Sequence, residues 1–115
     1  AVTGDGGFLM NAQELETAVR LHLPVVILVW RDDGYGVIRW KQLLRFGRTS
    51  FVDFGNPDLV AYAKSFGAAG YRVSESSELR PVLIEAFACG RPAVIDCPVD
   101  YAENLRLTER LKALP

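Results

Sequence analysis

The chain has 115 residues, half of them apolar and 23% charged, with a formal net charge of −1. This length suits one domain with a single core. Because positive and negative charges nearly balance, the composition does not indicate a surface that binds nucleic acid or an anionic membrane. The longest apolar run, residues 23–30, is far shorter than the roughly 20 residues that cross a bilayer. We therefore expect neither nucleic acid nor a membrane as a partner.

The predicted elements alternate between strands and helices. In chain order they are a strand end at 1–3, a helix at 12–22, a strand at 25–29, a short helix at 37–44, a loop at 45–56, a helix at 57–66, a strand at 71–73, a helix from 76 or 77 to 90, a strand at 93–97 and a charged arm at 100–115. The β-branched run at 25–29 has no polar alternation, which predicts a parallel strand covered on both faces. The alternation predicts an α/β fold, a three-layer α/β/α Rossmann-like domain with a mostly parallel sheet.

Polar residues mark the predicted helix starts. Asn11, with Glu14 three residues later, has the pattern of a capping box. Asn56 precedes a proline at the first helical position, and Ser76 or Ser77 is the predicted N-cap of the next helix. That helix is predicted to turn five apolar residues inward, namely Leu79, Val82, Leu83, Ala86 and Phe87.

The N-terminal residues and the two cysteines suggest that the chain is part of a longer protein and in which compartment it occurs. Ala1-Val2-Thr3 is typical of the end of a buried strand, which predicts an N-terminally truncated fragment of a longer protein. No signal peptide is visible before the glycine-rich motif in the given sequence, and Cys89 and Cys97 suggest no disulfide framework. We therefore expect reduced thiols and a cytoplasmic protein.

Two acidic motifs are the candidates for a binding site. Asp5 and Asp32 lie 27 positions apart, about the spacing at which a strand-helix-strand unit brings the C-terminal ends of parallel strands together. Five glycines surround them and allow close approach of a ligand, namely Gly4, Gly6, Gly7, Gly34 and Gly36. Mg²⁺ usually takes one or two carboxylates, phosphate oxygens and water. The pair predicts a metal with a phosphate group, although either motif alone is compatible with a simple turn.

The same residues resemble a known family. The runs GDGGFLMNAQELETAVR and VVILVWRDDGYGVI resemble the pyrophosphate-binding domain of thiamine-diphosphate-dependent enzymes. The signature of that domain is Gly-Asp-Gly, followed further along the chain by Asn-Asn or a variant such as Asn-Asp. Residues 52–55 and 98–101 narrow the resemblance to the acetolactate synthase group, closer to its catabolic branch. The resemblance covers essentially all of residues 1–115, as one C-terminal thiamine diphosphate- and Mg²⁺-binding domain.

The resemblance implies a set of site residues. The implied metal ligands are the carboxylates of Asp5 and Asp32 and the carbonyl of Gly34, with the N–H groups of Gly6 and Gly7 facing phosphate oxygens. The implied cofactor-binding residues are Gly4, Asp5, Gly6, Gly7, Asp32, Gly34, Tyr35, Gly36 and Val37. For Val37, and for Trp40 three residues later, the alternative to a place beside the cofactor is packing in the core.

Arg31 departs from the family pattern, because relatives usually have Asn there. We expect its side chain to reach solvent or a carboxylate such as Asp33. Asp96 and Asp100 are interpreted as structural carboxylates.

The function implied is condensation of two pyruvates to 2-acetolactate with release of CO₂. No catalytic residue is assignable here, because the family's catalytic glutamate lies on a pyrimidine-binding domain of the same or a partner subunit. The implied partners are that domain, a 2-oxo acid substrate and further copies of the chain, as a dimer or tetramer of the full enzyme.

The fragment alone is expected to be inactive. Its aromatic side chains Phe46, Phe51 and Phe54 are expected to be exposed and to favour self-association. The alternatives are another thiamine-diphosphate-dependent decarboxylase or carboligase and a non-catalytic Mg²⁺-binding interaction module.

Overall fold

A computed structural model of the chain describes residues 1–102, 104 and 106. Its elements in chain order are β1 (Val2–Gly4), α1 (Asp5–Met10), α2 (Glu14–Arg20), β2 (Val26–Arg31), α3 (Gly36–Phe46), α4 (Leu59–Ser65), β3 (Ala69–Arg72), a 3₁₀ turn (Ser76–Glu78), α5 (Leu79–Ala88) and β4 (Ala93–Pro98). Most of the predicted arm at 100–115 lies outside the described residues. No helix in the described part of the chain is long and apolar enough to span a membrane.

The four strands form one parallel sheet in the order β1-β2-β4-β3. β2 and β4 are the two inner strands, and β4 is buried along its length as far as Cys97. Since all four strands run the same way, their C-terminal ends meet at one edge of the sheet. The predicted α/β class with a mostly parallel sheet is confirmed.

Helices cover both faces of this sheet. Side chains of neighbouring strand positions point to opposite faces, so Val29 and Val94 belong to one core and Leu28 and Ile95 to the other. The first core includes residues of α1, α2 and α4, namely Phe8, Ala12, Leu15, Val29, Leu59, Ala63, Ala68 and Val94. The second lies under α5 and contains Val26, Leu28, Ala69, Val73, Ala86, Ala93, Ile95 and Cys97. The predicted three-layer arrangement is therefore present.

The start of the chain differs from the prediction. A helix, α1, begins at Asp5 directly after β1, and Asn11 is its C-cap rather than the N-cap of the next helix. α2 begins at Glu14 after Gln13, and no side chain caps it. The glycines at 6 and 7 disfavour a helix locally. Burial of Phe8, whose ring packs edge-on against Tyr62 with centroids 6.1 Å apart, outweighs that preference.

The two later N-caps also differ from the prediction. Asp58, not Asn56, caps α4, because its Oδ1 accepts hydrogen bonds from the N–H groups of Val60 and Ala61 at 2.9 and 3.1 Å. Glu75, not Ser76 or Ser77, begins the 3₁₀ turn in a capping box. A carboxylate accepts these N–H groups more strongly than an amide or hydroxyl does.

Several aromatic residues also lie differently from their predictions. α3 extends to Phe46, so the predicted loop at 45–56 begins two residues later. Phe46 and Phe51 are exposed as expected, but Phe54 is half-buried because it packs against Tyr35. Phe87 is 70% exposed, so its predicted inward position is wrong, whereas Ala86 on the same helix is buried.

Candidate functional site

A cavity of about 290 Å³ opens where β1 and β2 end. All nine predicted cofactor-binding residues line it, namely Gly4, Asp5, Gly6, Gly7, Asp32, Gly34, Tyr35, Gly36 and Val37. Ile38 and Tyr101 line it as well, and neither is predicted from the sequence. Ile38 was detectable because it follows the motif directly. Tyr101 was not, because the pairing of β4 with β2, which brings the end of β4 beside this cavity, has no local signal in the sequence. The fold thus brings both acidic motifs to one place.

Asp5 is the most buried polar residue of the cavity, with only 1% of its surface exposed. Its Oδ1 accepts a hydrogen bond from the Gly6 N–H at 2.8 Å. Its Oδ2 accepts two, from the Asp33 N–H at 2.9 Å and from Asn56 Nδ2 at 2.7 Å. The Gly6 N–H, predicted to face a phosphate, is therefore already engaged with Asp5.

Asp32 lies beside Asp5, just after β2, with 8% of its side chain exposed. Burial raises the pKa of Asp32, and the nearby negative charge of Asp5 raises it further, while Arg39 lowers it. Arg39 donates to Asp32 Oδ2 at 3.3 Å and also contacts Asp53. Asp5 and Asp32 carry two negative charges against the single positive charge of Arg39, so the pair can attract a further cation.

Four glycines of the cavity have no room for a side chain. A Cβ on Gly6 would lie 2.9 Å from the ring of Tyr35, and one on Gly7 would lie 2.9 Å from Thr3 Oγ1. A Cβ on Gly34 would lie 2.7 Å from the Val52 carbonyl oxygen, and one on Gly36 would overlap the Asp32 carboxylate. The backbone can run this close to its neighbours only because these positions are glycine.

The donor set of this cavity consists of oxygen atoms. Within residues 1–102, 104 and 106 no group of three or more His, Cys, Asp or Glu side chains could hold a metal. Two carboxylates, those of Asp5 and Asp32, nevertheless suit Mg²⁺, which usually binds one or two and completes its shell with phosphate oxygens and water. The residues present therefore fit a hard divalent cation that a phosphate ligand also holds.

Residues 1–97 match the family model described as thiamine pyrophosphate enzyme, C-terminal TPP binding domain. The chain belongs to this family. The predicted resemblance is thereby confirmed.

Individual relatives agree with the family assignment. The chain is 51% identical over 107 residues to an acetolactate synthase of Bacillus subtilis (strain 168), covering 93% of the chain and 19% of that relative. It is 42% identical over 111 residues to a catabolic acetolactate synthase of Raoultella terrigena, covering 96% of the chain and 20% of that relative. The chain therefore spans about a fifth of the length of these relatives.

A solved structure shares the fold of this thiamine pyrophosphate-binding domain. It is the thiamine diphosphate-dependent 4-hydroxybenzoylformate decarboxylase of Rhodococcus jostii RHA1, with a TM-score of 0.81 and 26% identity. The match covers 89% of this chain and 20% of that one.

Arg31 does not line the cavity. Its Nε donates to Asp96 Oδ1 at 2.8 Å and its Nη1 donates to Asp33 Oδ2 at 3.0 Å. Arg72 donates to the other oxygen of Asp96 at 3.0 Å. The expectation that Arg31 reaches Asp33 is confirmed, and the buried Asp96 has the structural role predicted for it.

A second cavity, of about 380 Å³, adjoins the first. Asp32, Gly36 and Tyr101 line both cavities, and Trp40 lines only the second. Val37 is 51% exposed, which excludes core packing as its role within the described chain. This thiamine pyrophosphate-binding domain therefore presents two connected spaces beside Asp32.

Proposed function

We propose that the chain is the diphosphate- and Mg²⁺-binding domain of a cytoplasmic, acetolactate synthase-like enzyme that condenses two pyruvates to 2-acetolactate and CO₂. The observation that carries this proposal is the pair of carboxylates on one glycine-lined cavity, the buried Asp5 and the partly buried Asp32. The two relatives at 51% and 42% identity, both named acetolactate synthases, support the reaction. The unpaired thiols of Cys89 and Cys97 support the compartment.

In this proposal the metal ligands are Asp5, Asp32 and the carbonyl of Gly34. Asp5 already accepts three hydrogen bonds, two on Oδ2 and one on Oδ1. Since each carboxylate oxygen has about two acceptor sites, Oδ1 keeps one for the cation. We assign the N–H of Gly7 to a diphosphate oxygen, because the N–H of Gly6 already donates to Asp5 Oδ1.

The exposed side chains of Tyr35 and Val37 on the cavity wall are assigned a second role, contact with the cofactor ring. Bound thiamine diphosphate would supply the electron sink for decarboxylation and carbon–carbon bond formation. Tyr35 and Val37 are 39% and 51% exposed on the cavity. We assign them to the side of the cofactor ring, where apolar surface excludes water from the reacting atoms.

Among residues 1–102, 104 and 106 we assign no general acid or base for this reaction, so we expect the chain to form no acetolactate alone. A pyrimidine-binding domain of the same or a partner subunit would complete the site. Exposed apolar side chains on α3 support such a neighbour, namely Val37, Ile38, Leu43, Leu44 and Phe46. Uncovered, this surface should make the isolated chain self-associate. Light scattering that shows a monomer at high protein concentration would contradict this part of the proposal.

The test is calorimetric titration of thiamine diphosphate into the chain with Mg²⁺ present. Asp32→Ala should lose saturable binding, because it removes one of two carboxylate ligands. Glu85→Ala is the matched control, since it removes an exposed carboxylate from α5 on the opposite face of the sheet. Unchanged affinity in Asp32→Ala would refute the proposed metal site.

A second candidate is another thiamine-diphosphate-dependent 2-oxo acid decarboxylase or carboligase. The observation in its favour is the fold match to a 4-hydroxybenzoylformate decarboxylase, although identity there is 26% against 51% for an acetolactate synthase. Assays of an enzyme carrying this domain with pyruvate and with 4-hydroxybenzoylformate separate the two. We expect acetolactate from pyruvate, and turnover of 4-hydroxybenzoylformate alone would favour the second candidate.

A further inference from the structure

Asn56 joins the two acidic motifs although it belongs to neither. It lies in the segment before α4, and its Nδ2 donates to Asp5 Oδ2 at 2.7 Å and to Asp33 Oδ1 at 2.8 Å. The amide thus bridges the first residue of α1 and the loop that follows β2.

The orientation of this amide is determined by its neighbours. Two carboxylate oxygens face Nδ2, so a flipped amide would turn its own oxygen toward two negative charges. In the orientation present, the buried Oδ1 of Asn56 has no hydrogen-bond partner among the described residues. A buried acceptor without a partner is unfavourable, so the two charge-assisted bonds of Nδ2 decide the orientation.

The contact with Asn56 limits which oxygen of Asp5 can bind a cation. The Asn56 amide and the Asp33 N–H together occupy both acceptor sites of Asp5 Oδ2. Only Oδ1 then keeps an open site beside its bond from the Gly6 N–H. Asn56 therefore selects which oxygen of Asp5 is available to the cavity.

Arg31 holds the other end of the bridge. It donates to Asp33 Oδ2 at 3.0 Å and to Asp96 Oδ1 at 2.8 Å. The Asp33 carboxylate is therefore fixed between Arg31 on one oxygen and Asn56 on the other. Arg31 therefore orients Asp33 from outside the cavity and does not line the cavity itself.

We propose that Asn56 is a positioning residue that holds Asp5 with Oδ1 toward Mg²⁺ and so sets the affinity and selectivity of the metal site. The inference rests on the proposed function, in which Asp5 and Asp32 bind the metal. Partners that orient a metal ligand typically change metal affinity 10- to 100-fold when they are removed. Mg²⁺ demands near-ideal octahedral geometry, whereas Ca²⁺ accepts flexible and bidentate carboxylates. A loosened Asp5 should therefore weaken Mg²⁺ more than Ca²⁺.

The experiment measures the Mg²⁺ and Ca²⁺ concentrations that give half-maximal thiamine diphosphate binding to the chain. Asn56→Ala should raise the Mg²⁺ value about 10- to 100-fold and the Ca²⁺ value by less. Asn11→Ala is the matched control, because Asn11 is exposed and its side chain makes no hydrogen bond within the described chain. If Asn56→Ala fails to fold, Asn56→Ser carries the same expectation, since a hydroxyl on a shorter side chain cannot bridge both carboxylates.

The outcomes separate this inference from the proposed function. An unchanged Mg²⁺ value in the Asn56 variant, or equal weakening of both metals, would overturn the positioning role, while loss of binding in Asp32→Ala would still uphold the metal site. Unchanged binding in Asp32→Ala, or no Mg²⁺-dependent binding by the unsubstituted chain, would overturn both.

Discussion

Replacement of Asp96 by alanine tests how the sheet edge behind the cavity is held together. Asp96 lies on the inner strand β4 with 2% of its side chain exposed. Each of its oxygens accepts one arginine Nε, from Arg31 on β2 and from Arg72 on β3. The substitution therefore removes one partner from each arginine at once.

The magnitude follows from the exposure of the two arginines. The Arg31 side chain is 25% exposed, and a hydrogen bond between charged groups in such a site contributes about 1.5–3 kcal/mol. The Arg72 side chain is 46% exposed and keeps Asp58 as a partner, so its share is about 0.2–1 kcal/mol. We expect Asp96→Ala to lower the free energy of unfolding by roughly 2–4 kcal/mol, the sum of these ranges.

Urea unfolding at neutral pH measures this loss directly. The comparison variant is Glu16→Ala, which removes a fully surface ion pair with Arg20 on α2. Both side chains of that pair are more than half exposed, so the expected loss is only about 0.3–0.5 kcal/mol. A loss in Asp96→Ala no greater than in Glu16→Ala would refute the reasoning.

Three further predictions concern packing, thiol reactivity and pH. Gly6→Ala places a Cβ 2.9 Å from the Tyr35 ring, so urea unfolding should show a loss of about 1–3 kcal/mol, and no loss would contradict the close packing. Burial raises the pKa of the Cys97 thiol, so iodoacetamide should label the other cysteine first in the folded chain, and equal rates would be inconsistent with this. The backbone hydrogen bond from Ala61 and other contacts lower the pKa of Asp58, so the stability it gives α4 is present above about pH 4 and is lost as the pH falls further. Asp58→Ala should therefore make the thermal midpoint less sensitive to acid, and an unchanged acid sensitivity would count against the cap.

The fold was predictable because its strongest signals are local and consistent. The β-branched run of β2 indicated a strand covered on both faces, and both of its faces are covered by core residues. The predicted ends of two helices lie close to the observed ones, since Gly67 and Gly90 have positive φ just beyond α4 and α5, which is typical of glycine after a helix. The first helix was missed because the burial of Phe8, a tertiary effect, outweighs the low helix propensity of its glycines.

The site was predictable only in part. The spacing of Asp5 and Asp32 indicated that both would reach one edge of the sheet, and both line one cavity. Asn56 was interpreted as a helix cap because the local pattern, an Asn before a Pro, is typical of one. Its contact with Asp5 spans 51 positions, and no short-range pattern encodes such a contact.

The most direct test of the central claim compares two ligands that differ only in the diphosphate group. Calorimetric titration of this chain with thiamine diphosphate and with thiamine, each with and without Mg²⁺, separates recognition of the diphosphate from other binding. We expect saturable binding only for thiamine diphosphate with Mg²⁺ present, because Asp5 and Asp32 can reach the diphosphate only through a shared cation. Equal binding of both ligands, or binding that is indifferent to Mg²⁺, would contradict the account.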